Sequence, residues 1–163
     1  MKLSTFPTTT MARRASARRA MTLLELTAVV FIVGLLGIMA ATRYGSAAIA
    51  DVGAEGFARH IALDCSHARS LAIATGDNHL LRFTFSGSDA TQYALYRRQG
   101  GSTTLVDEVH LVPSGVTVAT GGATDVEFTF TGEAVTSYTI TVQAPDRSLT
   151  VTVPQVTGKA FVQ

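Results

Sequence analysis

At 163 residues the chain is long enough for one domain with a modest core. Hydrophobic residues make up 47% and charged residues 15%, which excludes a disordered tail and a nucleic-acid carrier by composition. The net charge of +1 hides an asymmetry: Lys2, Arg13, Arg14, Arg18 and Arg19 lie in residues 1–20 with no acid, whereas the remainder holds eight Lys/Arg against twelve Asp/Glu, a net of −4.

The first element is a basic leader that runs directly into an apolar segment, and a basic flank marks the cytoplasmic side of a membrane segment. From Met21 to Thr42 the only charge is Glu25. As a helix this stretch would be roughly 33 Å long at ~1.5 Å per residue, enough to cross a bilayer core. Two plainer readings compete. One is a secretory signal peptide cut after Ala48-Ile49-Ala50. The segment is long for such a signal, and Glu25 interrupts its apolar core. The other is a simple membrane anchor, which gives Glu25 no purpose.

Ala20 followed by "MTLLELTAVVFIVGLLGIMAA" resembles the N-terminus of type IV pilins and pseudopilins. The resemblance implies that a prepilin peptidase cuts between Ala20 and Met21 and that Met21 becomes the methylated first residue. It also places Glu25 at the family's acidic fifth position, and Gly34 matches a glycine usual in that helix. The leader then stays in the cytoplasm, and the apolar helix becomes the packing core of a filament. A free Met21 amine is cationic, so Glu25 of an incoming subunit can pair with the amine of a neighbour. Pairing two charges in hydrocarbon offsets their desolvation and selects a register. The competing pair before assembly is intramolecular, at i,i+4. Alanine stands where the family usually has glycine before the cut, and no proline lies near Thr42, which points toward a minor component. Met11 opens the compact basic leader "MARRASARRA", so translation starting there is an alternative to Met1.

One helix is expected from Met21 to about Thr75, with a soft middle at Gly45, Gly53 and Gly56. In its second half Phe57, Ile61, Cys65, Ala68 and Leu71/Ala72 recur at helical spacing and form one apolar face. Cys65, the single cysteine, is expected as a small core residue, with no disulfide and no CxxC pair. Gly76 is a C-terminal stop.

From His79 the period changes to two. The segments 79–85, 91–98, 103–112, 115–120, 125–130, 137–144, 148–153 and 159–163 read as strands rich in threonine, valine and aromatics. Turn residues separate them, among them Ser86-Gly87-Ser88-Asp89, Gly100-Gly101, Gly121-Gly122 and Thr157-Gly158, with Gly121-Gly122 expected as a hairpin turn. A long helix lying on antiparallel sheet is an α+β arrangement. The domain plan is a cleaved leader at 1–20, a transmembrane and filament-core helix at 21–44, and a soluble domain at 45–163. "ARSLAIATGDNHLLRF" (68–83), "FTFTGEA" (128–134) and "LTVTVPQVTGKAFV" (149–162) narrow the resemblance to GspH/FimT-type pseudopilins.

His60, Asp64 and His67 at i, i+4 and i+7 have metal-ligand spacing, but without a fourth ligand they read as a solvent face, and neither a metal site nor a cofactor is expected. Asp64, Ser66 and His67 make no catalytic triad by spacing; G-x-S-x-G, P-loop and GxGxxG motifs are absent. Arg97-Arg98 with Tyr93 and Tyr96 could be a nucleic-acid strip, yet the exported part is net acidic, and a solvated strand end is expected. The resemblance therefore implies a non-catalytic minor pseudopilin in the inner membrane, with its C-terminal domain in the periplasm. Its partners would be other pilin subunits, the prepilin peptidase, the assembly platform, and lipid before assembly. A minor pilin in pilus assembly or DNA uptake, or a membrane-anchored periplasmic binding domain, are the alternatives.

Overall fold

The computed structural model describes residues 22–163. The described residues fall into two units, 22–39 and 40–163. Helix α1, Leu23–Thr75, supplies the described part of the first unit and opens the second. The expected helix is present without a break at Gly45, Gly53 or Gly56. It ends at the expected glycine, where the Gly76 N–H donates to the Ala72 carbonyl at 3.0 Å.

Nine strands follow: β1 Asn78–Ser86, β2 Asp89–Gln99, β3 Ser102–Leu105, β4 His110–Leu111, β5 Thr117–Ala119, β6 Asp125–Phe128, β7 Tyr138–Gln143, β8 Ser148–Val153 and β9 Phe161–Val162. They form two antiparallel sheets. The first runs β3-β2-β1-β6, with β4 also on β2, and the second runs β5-β7-β8-β9.

The helix buries Ala50, Ala54, Phe57, Ala58, Ile61, Cys65, Ala68 and Ala72. Most of these are small, which lets the larger sheet residues approach the helix closely. Phe83, Tyr93, Val126 and Phe128 come from the first sheet, and Val118, Ile140, Val142, Val151 and Val153 from the second, and all join one core cluster. The expected core face of the helix is therefore the observed one, with Leu71 only partly buried.

Two expectations need correction. The stretch 103–112 is not one strand. Leu105 pairs with Tyr96 and His110 pairs with Tyr93, so residues 106–109 lie opposite only Ala94 and Leu95. Two residues too many on the outer strand force a bulge there, and the exposed Asp107 and Glu108 occupy it. Gly121-Gly122 is not a hairpin turn either. It joins β5 in the second sheet to β6 in the first, so it carries the chain between sheets.

Candidate functional site

Ala20 and Met21, the expected processing site, lie outside the described residues. Glu25 sits in the first turn of α1. Its backbone N–H donates to Thr22 Oγ1 at 3.3 Å. Thr22 thus acts as the helix N-cap with Glu25 at the third helical position, the T-x-x-E pattern of a capping box. Sequence reading passed over Thr22, although that spacing was visible. Leu23, Leu24, Leu26, Val29, Val30, Phe31, Ile32, Val33, Leu35 and Leu36 are all exposed. Such a length of apolar side chains needs lipid or protein around it, and α1 is long and apolar enough to cross a membrane.

A second cluster lies on the C-terminal half of α1. His60 and Asp64 are one helical turn apart, and His60 Nδ1 is 3.0 Å from Asp64 Oδ2. The buried Tyr93 hydroxyl donates to Asp64 Oδ2 at 2.7 Å and lies 2.8 Å from His60 Nδ1. Burial and the Asp64 carboxylate both push the Tyr93 phenol far up, so it stays a donor. Tyr93 packs between Phe57 and Phe83, with ring centroids at 5.6 and 5.4 Å.

The third member of the cluster is His110, not the His67 suggested by spacing. His67 lies two helical turns beyond His60, and its ring is not among the ligand atoms that converge with those of His60 and Asp64. His67 is exposed. The slip of register between β3 and β4 sets His110 directly opposite Tyr93. Paired residues share a face, so His110 joins Tyr93 on the helix side of the sheet. Its Nε2 is 3.9 Å from Asp64 Oδ2, and its ring centroid is 4.7 Å from that of His60. Sequence offered no signal for His110, because the slip depends on tertiary packing. Beside the cluster runs a groove of about 500 Å³, which Glu108, Val109, Leu111 and Pro113 help to line.

Arg97 and Arg98, expected as a solvated strand end, lie at the end of β2 with side chains partly exposed and ion-paired. Arg97 pairs with Asp77, and Arg98 pairs with Glu127 and with Asp125, the latter at 3.0 Å. Cys65 is fully buried, as expected, and burial pushes its thiol far up.

No family model matches the sequence, and no curated protein matches it. Solved structures share the fold, among them those of two proteins. The type IV minor pilin FimU of Pseudomonas aeruginosa superposes with a TM-score of 0.56 at 16% identity, covering 75% of this chain and 91% of FimU. The minor pseudopilin EpsH of the Vibrio cholerae type 2 secretion system gives 0.54 at 15% identity, covering 68% of this chain and 94% of EpsH. A long helix on antiparallel sheets is the fold that this chain shares with these pilin and pseudopilin structures.

Proposed function

We propose that the chain is a minor pseudopilin, a structural and non-catalytic subunit of a type II secretion pseudopilus or a type IV pilus-like filament. A prepilin peptidase cuts between Ala20 and Met21, and Met21 is N-methylated. Before assembly, residues 21–44 hold the chain in the inner membrane, with residues 45–163 in the periplasm. Its partners are lipid first, then the assembly platform and other subunits.

The observation that carries this reading is the change of character along α1. Its N-terminal part exposes apolar side chains around one acid, whereas from Ala50 onward one face is buried in the core. FimU and EpsH share this fold, which supports a minor pilin and a minor pseudopilin alike. A signal-peptide cut after Ala50 fits poorly. That bond lies inside α1, and a Cβ built on Gly115 would come within 3.0 Å of the Ala50 side chain, so Ala50 is a closely packed core residue. DNA uptake by phosphate contact is disfavoured too, since Arg97 and Arg98 already face carboxylates.

Glu25 tests the assembly step. A central Asp costs ~2.5–3.5 kcal/mol on insertion scales, so removing the charge should not weaken insertion. Glu25→Val should remain in the membrane fraction and be processed, yet fail to co-purify with other filament subunits, because the neighbour's amine is left unpaired. Glu25→Gln separates pairing from capping, since glutamine also serves in a capping box. It should fail in assembly as Glu25→Val does. If both variants co-purify like the parent, the amine-pairing role is wrong.

A further inference from the structure

We propose that His60, Asp64 and His110 form a binding site for a zinc-class divalent transition metal, which clamps β4 and the bulge before it onto helix α1. One ligand atom from each residue lies within 4.8 Å of the other two. In a tetrahedral site with bonds of ~2.0–2.1 Å, ligating atoms stand roughly 3.3 Å apart. The separations of 3.0 and 3.9 Å around Asp64 Oδ2 bracket that value. No two of the three ligand atoms are more than 4.8 Å apart, which leaves the closure to side-chain rotation.

The donor set selects the metal class. Two imidazoles and one carboxylate suit zinc and its neighbours, whereas calcium and magnesium require more oxygen ligands. The surroundings resemble a built site. The Tyr93 hydroxyl holds Asp64 Oδ2 at 2.7 Å, the outer hydrogen bond that orients a ligating carboxylate. Tyr93 is itself locked by Phe57 and Phe83. The groove gives solvent a route to the cluster, and water can fill the remaining position.

A plain hydrogen-bonded cluster accounts for less. The Tyr93–Asp64–His60 contacts form one such network, but His110 Nε2 at 3.9 Å is beyond hydrogen-bond reach of Asp64. A metal ion joins all three groups at once. It also explains a benefit of the bulge, which turns a two-residue strand with only two pairing partners into an anchored element.

The test uses the untagged full-length chain in detergent, stripped with chelator and titrated with Co²⁺ and then Zn²⁺. The parent should take up one equivalent of Co²⁺ with visible ligand-field absorption, lose that absorption to Zn²⁺, and melt at a higher temperature with Zn²⁺. His110→Asn and His60→Gln should each weaken binding by more than tenfold. His60 is about half exposed, so its variant keeps the fold. Tyr93→Phe should weaken binding about tenfold, the outer-shell effect. His67→Ala should bind like the parent. No uptake by the parent, or unchanged uptake by both His60→Gln and His110→Asn, would overturn the proposal. So would loss of binding in His67→Ala.

Discussion

At the scale of single residues, Gly158 shows how closely the end of the chain is packed. The Arg69 Nε–H donates to the Gly132 carbonyl at 2.8 Å, tying α1 to the turn after β6. Gly158 lies over that bond. A Cβ there would stand 2.3 Å from the Gly132 oxygen and 3.3 Å from Arg69 Cδ, and the backbone has φ +59°. Gly158→Ala therefore combines left-handed strain of ~1–2 kcal/mol with overpacking of ~1–3 kcal/mol. At ~2–4 °C per kcal/mol, its thermal midpoint should drop by roughly 4–20 °C. Gly87→Ala, with φ +71° and open space around it, carries the strain alone and should drop less. Equal losses in the two variants would show that the close approach to Gly132 is not what matters. Cys65 was readable from helical spacing because burial follows a local period. The Arg69–Gly132–Gly158 contact was not, since its members lie far apart in sequence. The same holds for His110 beside Asp64.

At the scale of elements, the outer face of the first sheet is held by charge across strands. Arg82 on β1 is directly opposite Asp125 on β6 and donates to both its carboxylate oxygens, at 2.9 and 2.8 Å. Arg98 on β2 reaches the same carboxylate and also Glu127. The Arg82 hydrogen bond is the main reason that the Asp125 carboxyl is held below its ordinary value of 3.8. A lowered folded value means stability that is present above pH ~4 and lost as pH falls through the lowered value. Asp125→Asn should therefore cost about 1 kcal/mol at pH 7, with the gap from the parent closing below pH 4. Denaturant melts from pH 2 to 7 measure this; a gap that is constant with pH would rule out the ion pair as its source. Strand existence was legible because alternation of threonine, valine and aromatics is a local signal. The bulge at 106–109 was not. Its hydrophobic ends, Val106 and Val109, continue the pattern of a strand, and only pairing with β2 reveals the two extra residues. Gly121-Gly122 was legible as a turn, but a turn's sequence does not say which sheet receives the next strand.

At the scale of the whole molecule, the α+β plan was the most legible feature. It depends on one change of period, from helical spacing to alternation near Asn78, and the structure places that change between α1 and β1. The division into two sheets was not legible, because the chain leaves the first sheet for β5, returns for β6, and leaves again for β7. The candidate assembly motif could be proposed from sequence for a different reason. Leader, apolar run and Glu25 are contiguous, so proposing it requires no fold. They bear on the central claim that the apolar part of α1 is retained in the mature protein and serves a filament. Intact-mass and N-terminal peptide mass spectrometry of the chain, purified from membranes of cells with a prepilin peptidase, tests this most directly. The mature chain should begin at Met21 and carry one added methyl group on its amine. A mature chain that begins at Asp51 would contradict it, since the apolar helix and Glu25 would then be discarded.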